Sequence, residues 1–259
     1  MEEVKMIKPD ILDITKIKNK KILAMGAHSD DLEFCAGGTL LQLSKQNQVE
    51  VVIVTDGNMG THNCDQDHQE LVRMRMEEAR AAAKHMGAKE VRFWSYPDLE
   101  LENRRKMLLK HVVKELLRMK PNIVVTFDPW GRYEAAVHPD HRALAWAATE
   151  GVMMATLPKW VKRQGLGNRF LSPKSQVWLM CPAVANVVVN ISPIWEERLG
   201  LLKVFVSQFD NDFQWDKMSE WVTRTSNTAG TMVGLEHGEG FRILEYMGEW
   251  NQEAVDIKH

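Results

Sequence analysis

The stretch "ILAMGAHSDDLEFCAGGTL", Ile22 to Leu40, decides how the chain is read. A mostly apolar run, Ile22 to Ala27, stops abruptly at His28, Ser29, Asp30 and Asp31, with Glu33 and Gly37-Gly38 beyond. An apolar run closed by polar residues is the pattern of a buried strand. In open α/β sheets, ligands lie beyond the carboxyl ends of such strands. The turn after Ala27 is therefore a place where one histidine and three carboxylates arrive together.

Working outward, strands and helices alternate. "GTLLQLSKQ" (38–46) has helical spacing after the two glycines, and "VEVVIVTDG" (49–57) is a β-branched run ending in a turn. A polar, turn-like segment (58–68) leads to a helix over 69–87. Then come a strand (91–96), an amphipathic helix (104–120) stopped by Pro121, a strand (122–127), and a helix from about Asp140 to residue 157. Such strands argue for a parallel sheet covered on both faces. The expected fold class is α/β, Rossmann-like, with a mostly parallel sheet, helices on both faces and a C-terminal elaboration. We expect one domain over 1–259: a polar arm (1–19), a core carrying the motifs (20–157) and the elaboration (158–259). In the last part, 175–180 and 184–191 read as strands flanking Cys181-Pro182 in a hairpin, and 193–209 as a helix with Pro193 near its start.

The totals bound the function. The 259 residues are 44% hydrophobic and carry a net charge of −2, so no basic face for nucleic acid is indicated. No run approaches the roughly 18 apolar residues of a membrane span. The first ten residues lack a signal-peptide core. Cys35, Cys64 and Cys181 fit neither a disulfide framework nor a Cys-x-x-Cys site, which points to a reducing compartment, most simply the cytoplasm.

His28 and Asp31 can reach one ion from a single turn, with Asp30 between them facing a bound water whose proton it would take. Taken alone, the same acids also suit the first turn of a helix. A second cluster, His138-Pro139-Asp140-His141, again follows an apolar strand and opens a helix. His141 completes a three-ligand set with His28 and Asp31, the pattern of a catalytic zinc that keeps a position open. His138 would stabilise an oxyanion and protonate a leaving amine, held by Asp140. Trp130, between strand end and second cluster, either stacks on a sugar ring or caps the core. Gly37-Gly38 resembles a phosphate cradle only weakly, since no GxGxxG or Walker pattern accompanies it.

The paired motifs resemble the LmbE/PIG-L family of zinc-dependent N-acetylglucosaminyl deacetylases. The matching stretches are "AHSDDLE" (27–33), "GGT" (37–39), "TDGNMG" (55–60), "RMEE" (75–78) and "HPDH" (138–141). "KVFVSQF" (203–209), "GEGFRI" (238–243) and "DPWGRYEAAVHPDHR" (128–142) look closest to its diacetylchitobiose deacetylase branch. The resemblance implies Zn²⁺, or another divalent ion, on His28, Asp31 and His141. It implies Asp30 as general base, and His138, oriented by Asp140, as oxyanion stabiliser and acid. It also implies Arg75 and Asp98 as substrate contacts, a small amino-sugar substrate, and a homo-oligomer, trimer or hexamer. Departures from the family pattern are Ser29 for proline, Asn58 for glutamate and Val206 for histidine.

Two other classes fit parts of the pattern. A histidine–carboxylate–histidine set also resembles the triad of non-haem Fe(II) oxygenases, but those of the oxoglutarate type sit on all-β jelly rolls, against the helical patterns here. A non-catalytic sugar-binding protein on the same scaffold would not need the full set of residues in the two clusters.

Overall fold

A computed structural model describes residues 8–61, 63–131, 137–168, 170–171, 175–208 and 212–245. Eight strands form one sheet: β1 (Asp10–Ile11), β2 (Lys21–Gly26), β3 (Gln48–Thr55), β4 (Glu90–Tyr96), β5 (Ile123–Phe127), β6 (Gln176–Met180), β7 (Val187–Asn190) and β8 (Gly238–Glu245). Their spatial order is β1-β7-β8-β6-β5-β2-β3-β4. All pairings are parallel except the two made by β8, which runs antiparallel to both β6 and β7.

The central strands are apolar throughout because both their faces are covered. Ile22 and Ala24 of β2, Val49, Val51 and Ile53 of β3, and Ile123 and Val125 of β5 point to one face. There they meet α1 (Asp31–Ser44), α2 (His68–Met86) and α6 (Trp195–Leu202) through Leu32, Leu40, Ala79, Ala82 and Leu201. The alternate residues Leu23, Met25, Val52, Val54 and Val124 meet α3 (Arg105–Met119) and α4 (Pro139–Ala155) through Leu108, Val112, Leu116, Leu144 and Ala148. The period-two alternation of a strand thus feeds two separate cores. A short α5 (Pro158–Arg163) follows α4, and α7 (Asp212–Thr231) precedes β8. No described helix is long and apolar enough to cross a membrane. The described cysteines are all free.

The α/β architecture is as expected, and a mostly parallel, helix-covered sheet excludes the jelly roll of the oxygenase alternative. Three local expectations are corrected. First, α1 begins at Asp31, so Gly37 and Gly38 lie inside the helix and do not precede it. Second, β6 and β7 are not a hairpin, because β8 lies between them. Third, the stretch 193–209 is helical only to Leu202. Within the polar N-terminal arm, Asp10 and Ile11 pair with Val187 and Val188.

The "GGT" stretch owes its place to β8. The Gly38 and Thr39 N–H groups donate to the Glu239 carboxylate at 2.9 and 2.7 Å, and the Phe34 carbonyl accepts from Arg198 at 2.7 Å. Arg198 and Glu239 are themselves an ion pair at 3.5 Å. A Cβ on Gly38 would lie 2.8 Å from Ile191 Cγ2, so only glycine lets the helix approach this closely. The N–H groups that a phosphate would need are taken by a protein carboxylate.

Candidate metal centre and active site

β2 and β5 are neighbours, with β3 and β4 on the far flank of β2. The chain leaves β2 on one side and returns to β5 on the other, so the loops after β2 and β5 open the crevice of a topological switch point. The first loop carries His28, Asp30 and Asp31; the strand β5 leads to the segment that carries His138 and His141. Gly26 permits the sharp exit from β2, since a Cβ there would sit 3.0 Å from the His28 carbonyl oxygen. The loop is braced by the Thr55 N–H and hydroxyl, both donating to the Ala27 carbonyl at 2.8 Å.

His28 Nδ1 lies 3.0 Å from His141 Nε2, and Asp31 Oδ1 lies 3.1 Å from that same Nε2. His28 Nδ1 and Asp31 Oδ2 are 3.6 Å apart. Ligands about 2.1 Å from one tetrahedral ion stand about 3.4 Å from each other. The three side chains predicted as ligands come together, and so do two other groups with ligand atoms close enough to hold one ion, His28 with His138 and His141, and His28 with Asp98 and Asp140. Asp31 is not a helix cap: its Oδ2 accepts the His28 N–H at 2.8 Å and so ties the loop back on itself. Phe127, the last residue of β5, stacks on the His141 ring at 4.0 Å and fixes its plane.

A second set of acids faces the other His28 nitrogen. Nε2 is 2.9 Å from Asp98 Oδ1 and 3.7 Å from Asp140 Oδ2. These carboxylates are already served by backbone donors: Asp98 by Met59 and Leu99, Asp140 by Leu99 and Leu101. Asp140 is wholly buried and Asp98 nearly so. Both ring nitrogens of His28 thus face groups that could hold an ion: Asp98 and Asp140 on the Nε2 side, Asp31 and His141 on the Nδ1 side.

Burial opposes the charge of His28, but the attraction of Asp31 and its hydrogen bonds to carboxylates outweigh it and raise its pKa. Burial likewise raises Asp31, yet His141 and His28 drive it far down. Asp30, half-buried, is raised by burial and then by the Asp31 charge, against the pull of Arg75. His138 is lowered by burial and by the two neighbouring imidazoles. Glu33, 2% exposed, is pushed up to about 8, chiefly by burial, and is neutral at pH 7.

His138 caps α4: its Nδ1 accepts the Asp140 N–H at 3.3 Å, and its ring lies 4.6 Å from those of both His28 and His141. The expected grip of Asp140 on His138 thus runs through the backbone, while the carboxylate turns to the 98–101 turn and to His28. Two of the three residues expected as substrate contacts are buried. Asp98 lies behind His28. Arg75 is buried and donates to the carbonyls of Gly57 and Gly60 at 2.7 and 2.8 Å, holding the "TDGNMG" loop. One turn on, Glu78 accepts the Ser207 N–H and hydroxyl, both at 2.6 Å, so the R-x-x-E pair fastens two loops to α2. Trp130 is the exception: 46% exposed, it stands edge-on to Trp146 with the Arg242 guanidinium 4.4 Å from its ring centre. Asp128 accepts from both Arg242 and the Trp130 N–H. Residues 132–136 of the second motif, and His62, lie outside the described residues.

The family model for PIG-L, GlcNAc-PI de-N-acetylase, matches residues 23–152, a span that contains both clusters. The chain belongs to the PIG-L family. It is 31% identical over 228 residues to the diacetylchitobiose deacetylase of Thermococcus kodakarensis, covering 87% of this chain and 83% of that one. The solved structure of N,N'-diacetylchitobiose deacetylase from Pyrococcus horikoshii, in complex with its inhibitor MPG, matches with a TM-score of 0.81 at 32% identity, covering 91% and 88% of the two chains. GalB, the 4-carboxy-2-hydroxymuconate hydratase of Pseudomonas putida KT2440, shares the fold with a TM-score of 0.69 at 20% identity, covering 87% and 96%. The fold alone therefore does not dictate the reaction. With its family membership and both clusters in place, the chain is a deacetylase, a hydrolase of amide bonds.

Proposed function

We propose that the protein removes the N-acetyl group from an N-acetylglucosamine-type amino sugar, diacetylchitobiose first among candidates, using a zinc or similar divalent ion held by His28, Asp31 and His141. The observation that carries this is the 3.0–3.6 Å convergence of those three ligands beside Asp30 and His138. When bound, such an ion polarises the amide carbonyl and makes water acidic.

The chain's own residues supply the rest. Asp30, its carboxyl raised, is suited to accept the proton of the attacking water. His138 sits one ring away from both histidine ligands, where it can hydrogen-bond the developing oxyanion and then return a proton to the leaving amine. Acetate and the free amine result. Trp130, open to solvent and flanked by Arg242, offers a flat apolar surface for a second sugar ring.

The test is acetate release from N,N'-diacetylchitobiose and N-acetylglucosamine by zinc-loaded and chelator-treated protein. Zinc-dependent release is expected. Sugar binding without release would refute the assignment.

A further inference from the structure

We propose that Arg242 and Asp128 are positioning residues that hold Trp130 as a platform for a second, uncharged sugar ring, and so set a preference for a disaccharide over a monosaccharide. The inference rests on the reading of the site as an amino-sugar deacetylase and deepens it.

A tryptophan is highly buried on average. Trp130 is 46% exposed, yet it is held from three directions. Its backbone N–H donates to Asp128 Oδ1 at 2.8 Å. The Arg242 guanidinium carbon lies 4.4 Å from its ring centre, within cation–π reach. Trp146 stands edge-on to it, the ring centres 4.7 Å apart and the planes at 73°. The same Asp128 oxygen also accepts from Arg242 Nη2. One carboxylate oxygen therefore binds both the backbone that carries the indole and the guanidinium that lies against it. The Asp128 side chain is 1% exposed, so water does not compete for that oxygen.

Three separate elements deliver these groups. Asp128 follows β5, and its own N–H is bonded to the Met180 carbonyl of β6 at 3.0 Å. Arg242 lies on β8 opposite Leu179 of β6. Trp146 belongs to α4. A solvent-facing ring fixed by loop, strand and helix has lost its freedom before a ligand arrives, and such preorganisation favours binding. Its place suits a second ring. Phe127, three residues before Trp130, stacks on His141, and Trp146 stands five residues after His141, a rise of about 7.5 Å along α4. The platform is thus beside the centre and not in it. The charge of Arg242 is answered by Asp128, so what the pair presents is the apolar indole, a match for the C–H face of a pyranose.

The test compares N,N'-diacetylchitobiose with N-acetylglucosamine in the zinc-loaded full-length protein. In Trp130→Ala, the ratio of kcat/KM for the disaccharide to that for the monosaccharide should fall about tenfold or more, with the loss in KM and not in kcat. Arg242→Gln should move the ratio the same way, and Arg242→Lys, which can still pair with Asp128, should recover most of it. An equal loss on both sugars in Trp130→Ala, or a ratio unmoved by Arg242→Gln, would overturn the proposal. So would a wild-type preference for an N-acetylglucosaminide with a carboxylate aglycone that vanishes in Arg242→Gln, since Arg242 would then be an anion receptor. Saturation-transfer NMR of zinc-loaded Asp30→Asn, in which Trp130 and Arg242 are intact, reads the contact directly. Both rings of diacetylchitobiose should receive saturation, and saturation of one ring or of neither would overturn the platform. A wild type that releases acetate from neither sugar is a different failure: it refutes the deacetylase reading, while the spectra still decide on the platform.

Discussion

Replacing Glu239 by glutamine removes one negative charge from beneath α1 while keeping the side chain's size. Glu239 and Arg198 are 5% and 1% exposed, and Glu239 is the partner in the ion pair described for Arg198. Glu33, also near Arg198, is neutral at pH 7 because its carboxyl is pushed up to about 8. The substitution therefore leaves a buried guanidinium without its counter-charge, which costs about 3–5 kcal/mol. The backbone bonds lead to a similar figure. Two donors, Gly38 and Thr39, each lose a charge-assisted bond of about 1.5–3 kcal/mol, and the amide oxygen restores one neutral bond. At about 2–4 °C per kcal/mol for a chain of this size, the melting temperature should fall by about 6–20 °C. Urea denaturation should show a lower midpoint with an unchanged slope. The double variant Glu239→Gln/Arg198→Met should recover part of the loss, since no charge is then stranded. A loss under about 1 kcal/mol in Glu239→Gln would refute the claim that this pair holds the "GGT" turn.

Four further outcomes are expected. Asp30→Asn should keep zinc but lose about 10²–10⁴ in kcat, and near-normal acetate release would remove Asp30 as the base. Arg75→Met should destabilise the fold by about 3 kcal/mol or more, because two charge-assisted bonds to Gly57 and Gly60 are lost; a raised KM at unchanged melting temperature would show a substrate contact instead. Glu50 is lowered from its usual 4.5 because the hydrogen bonds from Arg92 and Arg118 overcome its burial, so it contributes stability above that pH which is lost as the pH falls through its lower folded value. Glu50→Gln should thus be less stable than wild type at pH 7, with the gap closing in acid, and a gap independent of pH would contradict this. Ser29→Pro should keep metal and activity with a stability change under about 1 kcal/mol, since the Ser29 hydroxyl is buried without a partner among the described residues; loss of metal would show that the loop backbone needs serine.

The core of the fold was legible because parallel strands covered on both faces write themselves as apolar runs, and the helices between them keep their own period. His28, Asp31 and His141 were legible because each sits at the polar end of such a pattern. Three things were not. The start of α1 was misread because Gly37-Gly38 looks like a break, and the partner that makes glycine necessary, Glu239, is distant in sequence. The place of β8 between β6 and β7 has no local signal, since pairing between distant strands leaves no mark in either segment. The roles of Asp98 and Arg75 depend on which way a buried side chain points. Residue type and spacing put both near the crevice, but only the folded chain shows that Asp98 faces His28 and Arg75 faces loop carbonyls.

The antiparallel β8 also sets an order of assembly. Strands β2 to β6 pair among themselves and can join as they are synthesised. β1, made first of all, reaches the sheet only through β7, and β7 only through β8. Until residues 238–245 are available, β6 presents an open edge and β1 and β7 lack their hydrogen-bonded route into the sheet. A chain cut before β8 would expose that edge and release its own beginning, and two such chains at high concentration would be free to pair with each other. The two parts of the sheet are thus joined only by the last strand described.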